Sequence, residues 1–129
     1  MKGFVQNIEQ LTVENDHFRK VLYTGKHMQL VLMTLQAGEE IGIEVHDGHD
    51  QFFRIEEGQG RVIIDDNMHD IQDDDAILVP AGARHNVINT GSGPLRFYTL
   101  YGPPEHRHGV LHPTKADERE EHFDGTTTE

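Results

Sequence analysis

An all-β barrel is the fold class that this 129-residue sequence predicts, and three observations carry the prediction. The apolar segments are short and end at Gly, Pro or Asp-Asn. Their centres recur about every 8–12 residues, the habit of sandwiches and barrels. Before the C-terminal tail, no window of about 12 residues sustains a 3.6-residue apolar period, so helix is expected only as short turns.

Taken in order, the strands are expected at Phe18–Tyr23, Gln29–Leu35, Ile41–His46, Gln51–Glu57, Arg61–Ile64, Met68–Ile71, Ala76–Val79, His85–Asn89 and Leu95–Tyr101. Most are rich in the β-branched, aromatic and aliphatic residues that suit a half-buried pleated surface. Phe52 and Phe53 open the fourth as core or interface packing. Asp65–Asn67 and Thr90–Pro94 carry hairpin-turn residues, reversing the chain after the fifth and eighth strands. Arg54 and Arg96 are expected to face outward as charges that guard the strands. After Tyr101 the texture turns polar, with Pro103, Pro104 and Pro113. Thr114–Glu121 suits one or two helical turns, and the last residues are expected to fray. The chain therefore divides into an N-terminal strand region (1–28), a barrel (29–103) and a polar tail or lid (104–129).

Composition narrows the function. The formal net charge is −12, from 23 acidic against 11 basic residues. Such a surface repels phosphate backbones, so no nucleic-acid partner is expected. No stretch approaches the roughly 18 consecutive apolar residues of a membrane span, so no membrane partner is expected either. The N-terminus has no apolar h-region, which makes the cytoplasm the expected compartment. With no cysteine there are no disulfides, thiolate metal sites or cysteine nucleophiles. An all-β fold leaves sheet edges open and a chain this small gains core by pairing, so a homodimer is expected.

Ten histidines are the compositional oddity, and the question is which of them stand at ligand spacing. Glu44 and His46 are two apart, so on a strand both side chains leave the same face. A turn follows, and the next strand opens on Gln51. His85 sits just after Pro80-Ala81-Gly82, where a bend presents it at the start of another strand. Two imidazoles, a carboxylate and an amide oxygen make a site for a divalent metal ion. His49, in the intervening turn, is a substitute ligand. His106, His108 and His112 form a second histidine group in the tail, read first as solvated.

The spacing resembles the two motifs of the cupin superfamily. The first, G-x5-H-x-H-x(3,4)-E-x6-G, reads here Gly38-x5-Glu44-x-His46-x4-Gln51-x6-Gly58. The second, G-x5-P-x-G-x2-H-x3-N, reads Asp74-x5-Pro80-x-Gly82-x2-His85-x3-Asn89. The resemblance covers residues 30–101 and implies a double-stranded β-helix, or jelly-roll barrel, with a metal near one mouth. Related cupins commonly exchange or align N-terminal strands in dimers, so the resemblance makes Phe18–Tyr23 the candidate for such an exchange. Three positions depart from the pattern. Glu44 stands for the first histidine, Gln51 for the glutamate and Asp74 for a turn glycine, which is harmless if that turn does not need positive φ. The first two departures exchange charge between positions, leaving two histidines, one carboxylate and one neutral group. The phosphomannose-isomerase-like cupins are similar in using these four side-chain types, in a different order. Gln51 is then either the fourth ligand or a hydrogen-bond partner of a metal-bound water.

Zn, Mn, Fe and Ni all suit such a ligand set. The implied function is metal-dependent chemistry on a small oxygen-rich ligand, a sugar or carboxylate, by an isomerase, lyase or dioxygenase reaction. The alternative is a binding module that holds a metabolite through the metal without turnover. Tyr98, Tyr101 and His49 are the residues available as a further acid or base.

Overall fold

The computed structural model describes all residues, Met1–Glu129. It shows a jelly-roll sandwich of two antiparallel sheets. The six-stranded sheet has the order β10-β1-β2-β9-β4-β7, and the four-stranded sheet β3-β8-β5-β6. The strands are β1 (Arg19–Thr24), β2 (Gln29–Leu35), β3 (Glu44–Val45), β4 (Asp50–Glu57), β5 (Gln59–Ile64), β6 (Asn67–Gln72), β7 (Ala76–Val79), β8 (Arg84–Asn89), β9 (Leu95–Gly102) and β10 (Leu111–His112). No helix is long and apolar enough to cross a membrane.

Alternation builds the core. In β9, Leu95, Phe97, Thr99 and Tyr101 point inward and are buried, while Arg96, Tyr98 and Leu100 point outward. β4 does the same with Gln51, Phe53 and Ile55. The rings of Phe53 and Phe97 meet at 5.7 Å between centroids, and Val31, Met33, Leu35, Val62 and Val87 close around them. Burying each such side chain stabilises the fold by roughly 1.5–3 kcal/mol.

A short helix, α1 (Ile8–Val13), packs beside β4 and β9. The Asn7 side chain caps it by accepting from the Gln10 N–H at 3.0 Å. Six residues are too few to show a helical period, so no apolar repeat announces it. Asn15 then ties the turn after α1 to the sheet. Its Nδ2 donates to Thr34 Oγ1 at 2.9 Å, and the Thr34 hydroxyl donates back to the Asn15 carbonyl at 2.7 Å.

The third expected strand shrinks from Ile41–His46 to Glu44–Val45. Gly42 has φ 105°, which breaks the ladder, and its N–H goes to Asn86 Oδ1 at 2.9 Å instead of a strand partner. Asp74 also departs from expectation. Its φ is 74°, so the turn does need the conformation a glycine would supply, and Asp74 adopts it while its carboxylate accepts from Arg54 at 3.0 Å. Arg54 and Arg96 do hold carboxylates on the outer face, Arg96 pairing with Asp16 and Glu57 at 2.7 Å each.

The segment after Tyr101 is more than a solvated tail. β10 pairs with β1, and Val110 and His112 are buried. The helical turn expected in 114–121 is a single 3-10 turn, Lys115–Asp117. Residues expected to fray are held: Thr128 N–H donates to the Thr24 carbonyl at 2.8 Å, and Tyr23 Oη donates to Glu129 at 2.6 Å. This return of the chain covers β1 on the side away from β2, so the strand expected to exchange between copies is already paired on both edges.

Gly58 joins β4 to β5 with φ 109°, and a Cβ there would lie 2.5 Å from the Pro94 carbonyl oxygen. Both the conformation and the backbone contact reject a side chain. Gly58→Ala should lower stability by about 2 kcal/mol or more in equilibrium urea unfolding, and an unchanged midpoint would contradict this packing.

Candidate metal centre

β3 and β8 place the first pair of groups. Glu44 and His85 are direct partners across the antiparallel ladder. His46 lies one residue beyond β3, held by its carbonyl accepting the Gly82 N–H at 2.9 Å. The loop of Pro80 and Gly82 that presents His85 is thus also the loop that fixes His46.

The side chains converge. Glu44 Oε2 lies 3.0 Å from His46 Nε2 and 3.9 Å from His85 Nε2, and one ligand atom from each of the three residues falls within 4.8 Å of the others. Donors about 2.0–2.1 Å from a common ion stand roughly 3.0–3.4 Å apart, so this spacing needs only a small contraction to receive one. His85 carries the second sign. Its Nδ1 is 3.1 Å from the Ala83 carbonyl, an acceptor only, so Nδ1 bears a proton and in the neutral ring Nε2 bears the lone pair. That Nε2 is buried and has no hydrogen-bond partner. A buried lone pair facing a carboxylate and a second imidazole fits a cation, and the donor set suits a divalent one.

Gln51 lies in the opposing sheet, 2% exposed. Its Nε2 donates to Thr99 Oγ1 at 2.9 Å, which leaves Oε1 buried without a partner. His49 takes no part in the cluster, because both its nitrogens are engaged. Nδ1 meets the Pro103 carbonyl at 2.6 Å and Nε2 meets Glu105 at 2.8 Å. The three tail histidines do not converge either. His106 Nε2 meets Tyr101 Oη at 3.2 Å, His108 faces Thr24, and His112 faces Arg19.

Two groups absent from the sequence-based set border the cluster or its cavity. Glu105 sets its carboxylate 3.7 Å from His46 Nδ1, 2.8 Å from His49 and 3.2 Å from His122. Arg19 is 2% exposed and bonds Glu118 at 2.9 Å. Glu105 follows Gly102-Pro103-Pro104, a turn that folds the chain back over the barrel mouth, and this was the available signal. Arg19 had a fainter one, a cation between Phe18 and Val21. Both residues line a polar cavity of ≈ 520 Å³ together with Glu44, His46 and His106.

Local charge acts on the titrating groups. The hydrogen bond to Glu44 raises His46 above the ordinary imidazole value. Burial opposes this, the Glu44 and Glu105 charges reinforce it, and Arg19 opposes it. Burial raises the Tyr101 phenol, with Glu44 adding to the effect. Burial, helped by Arg19 and His46, pushes His106 down to about 2.

A family model described as cupin domain matches residues 31–101. The uncharacterized protein YrkC of Bacillus subtilis is 50% identical over 122 residues, covering 90% of this chain and 66% of that protein, just under two thirds of its length. The uncharacterized protein L612 of Acanthamoeba polyphaga mimivirus is 36% identical over 112 residues, covering 84% of this chain and 70% of that one. Among solved structures, BH2720 from Bacillus halodurans superposes with a TM-score of 0.89 at 48% identity, covering 90% of this chain and 92% of that one.

The pH response of the metal-free protein follows from the two imidazoles. His106 has a folded-state value below its ordinary 6.5, so the unfolded chain binds the extra proton. Its contribution to stability is therefore present above about 6.5 and is lost as pH falls toward about 2. Imidazole proton NMR should show His46 titrating above 6.5 and His106 staying neutral until acid unfolding. A His106 that titrates near 6.5 in the folded protein would contradict its burial against Tyr101.

Proposed function

Because the chain belongs to the cupin domain family, we propose that its barrel is a metal-dependent site for a small oxygen-rich compound, a sugar or a carboxylate. Glu44, His46 and His85 would hold the divalent ion, with the carboxylate offsetting part of its charge. The observation that carries this reading is the buried, unpartnered Nε2 of His85 facing Glu44 and His46. Two imidazoles and one carboxylate accept Zn, Mn, Fe or Ni without sharp selection. Gln51 offers its free Oε1 as a weak fourth contact or as a hydrogen-bond partner just outside the ligand set.

A bound divalent ion supplies Lewis acidity toward a carbonyl or hydroxyl oxygen. The chain's own residues do the rest. Glu105, 3.7 Å from His46 Nδ1, sets a second negative charge beside that ring, while the Nε2 that would meet the ion bonds Glu44 at 3.0 Å. Tyr101 and His106, paired at 3.2 Å, form a polar wall beside the centre, able to hydrogen-bond a substrate oxygen while both stay neutral. The covering segment around His106 excludes water from one side of the cavity. An isomerase, lyase or dioxygenase reaction is the class this arrangement serves best. The second reading, a binding module without turnover, is favoured by one observation: Glu105, the carboxylate nearest the cluster, is already engaged by two other histidines.

The test is elemental analysis of purified protein, followed by oxygen-uptake and sugar-phosphate isomerisation assays. His85→Ala should empty the site about as fully as His46→Ala. Gln51→Ala should weaken metal binding by only about 10–100-fold, the size of an outer-shell loss. Stoichiometric metal in the His46→Ala, His85→Ala double variant would sink the assignment.

The proposal extends to a homodimer. β7 ends the larger sheet with an unpaired edge and Leu78 is 71% exposed there, a surface that a second copy would cover. Sedimentation at micromolar protein should give a dimer, and a lone 14.7 kDa species would overturn it.

A further inference from the structure

Arg19 is a guanidinium buried inside a cavity wall, and its surroundings do not saturate it. It sits on β1, opposite His112 of β10. Only its Nη1 is bonded, donating to Glu118 Oε2 at 2.9 Å and meeting His112 Nδ1 at 3.3 Å. Nε is buried with no partner. Phe18 fixes the group from one face, with its ring centroid 5.1 Å from the guanidinium carbon. A buried arginine with an open donor edge is costly unless a planar oxyanion completes it.

The one carboxylate that reaches Arg19 comes from the returning tail, and it has somewhere else to go. Glu118 is 31% exposed at its side chain and also pairs with Lys115 Nζ at 3.2 Å. Leaving Arg19 would therefore not strand it. Arg19 and Glu118 line the same cavity as Glu44 and His46, and its ≈ 520 Å³ is within the usual size of a small-molecule site.

We propose that Arg19 anchors the carboxylate of the substrate, which takes the place Glu118 occupies, so that the cavity accepts a small hydroxy- or keto-acid in preference to a neutral sugar. This inference rests on the metal-dependent reading and narrows its substrate class. The acid's carboxylate meets the guanidinium edge, and its remaining oxygens reach toward Glu44 and His46 on the same cavity wall. A neutral polyol has nothing to exchange for Glu118 and leaves the Arg19–Glu118 pair intact.

The experiment compares D-gluconate with D-glucitol, the same polyol chain with an alcohol in place of the carboxylate. Binding is followed by NMR titration of the full chain, both chelator-treated and zinc-loaded. Gluconate should bind about tenfold more tightly than glucitol in both forms, the worth of one charge-assisted contact. Glu118→Gln removes the resident carboxylate and should tighten gluconate several-fold while leaving glucitol unchanged. Arg19→Gln should erase the preference, and Arg19→Lys should restore part of it. Because Arg19 also joins β1 to the tail, Glu118→Gln decides the matter if the Arg19 variants fail to fold. A merely structural ion pair predicts that Glu118→Gln weakens gluconate binding or leaves it unchanged, and either result overturns the proposal. So does equal binding of the two probes, or saturable binding of neither. Zinc uptake with equal probe binding sinks the anchor and spares the metal reading. A gluconate preference in protein that takes up no zinc sinks the metal reading and spares the anchor.

Discussion

The cross-strand pairing of Glu44 with His85 is the constraint on which the rest of the site depends. β3 offers only two ladder residues to hold that register, and a slip of one would turn Glu44 to the opposite face. Bonds outside the ladder prevent the slip. Ile41 N–H donates to the Val87 carbonyl at 3.0 Å, Gly42 N–H to Asn86 Oδ1 at 2.9 Å, and Gly82 N–H to the His46 carbonyl at 2.9 Å. β8 itself is pinned at its far end, where Asn89 Nδ2 donates to the Leu35 and Gly93 carbonyls at 2.9 Å each. The asparagine of the second motif thus supports the Glu44–His46–His85 cluster from a distance, by fixing the strand that carries His85.

The interior is graded from apolar to polar along β4 and β9. Phe53, Ile55, Leu95 and Phe97 fill one end, while Gln51, Thr99 and Tyr101 face the end where the histidines gather. Gln29 extends this polar end by gripping the returning chain. Its Nε2 donates to the His106 carbonyl at 2.7 Å and its Oε1 accepts the His106 N–H at 2.9 Å. One buried amide therefore decides where Glu105 and His106 sit. Most buried polar atoms are satisfied in this way, as burial requires. Four of the five that are not belong to Arg19, Gln51, His85 and His112.

Much of this was legible in the sequence, for physical reasons that also explain what was not. Strand alternation and turn chemistry are local, so the strand positions came through, and so did the convergence of Glu44, His46 and His85. α1 escaped because six residues cannot display a period, and β3 was overextended because a single glycine interrupts an apolar run. Asp74 looked harmless because composition does not reveal φ. The tail was hardest. Glu105, His106 and Glu118 matter through contacts with Gln29, His46, Tyr101 and Arg19, which lie far away in the chain. A polar, proline-bearing segment has the same composition whether it frays or docks. Arg19 was missed for a related reason, since a cation on a strand is ordinarily a surface residue.

The exchange of charge between the two motif positions has an energetic logic in this fold. Position 51 lies 2% exposed in the larger sheet, while the Glu44 side chain is 26% exposed and touches His46. A carboxylate at position 51 would be desolvated whenever no cation faced it, at a penalty of several kcal/mol. At position 44 the same charge keeps some contact with water and has a histidine 3.0 Å away whose pKa it raises. The amide at 51 remains satisfied on its Nε2 side by Thr99 with or without an ion. Moving the charge from the buried position to the rim therefore lets the barrel fold without relying on a cation. The same move sets the carboxylate beside His46 on the wall of the cavity that Arg19 also lines.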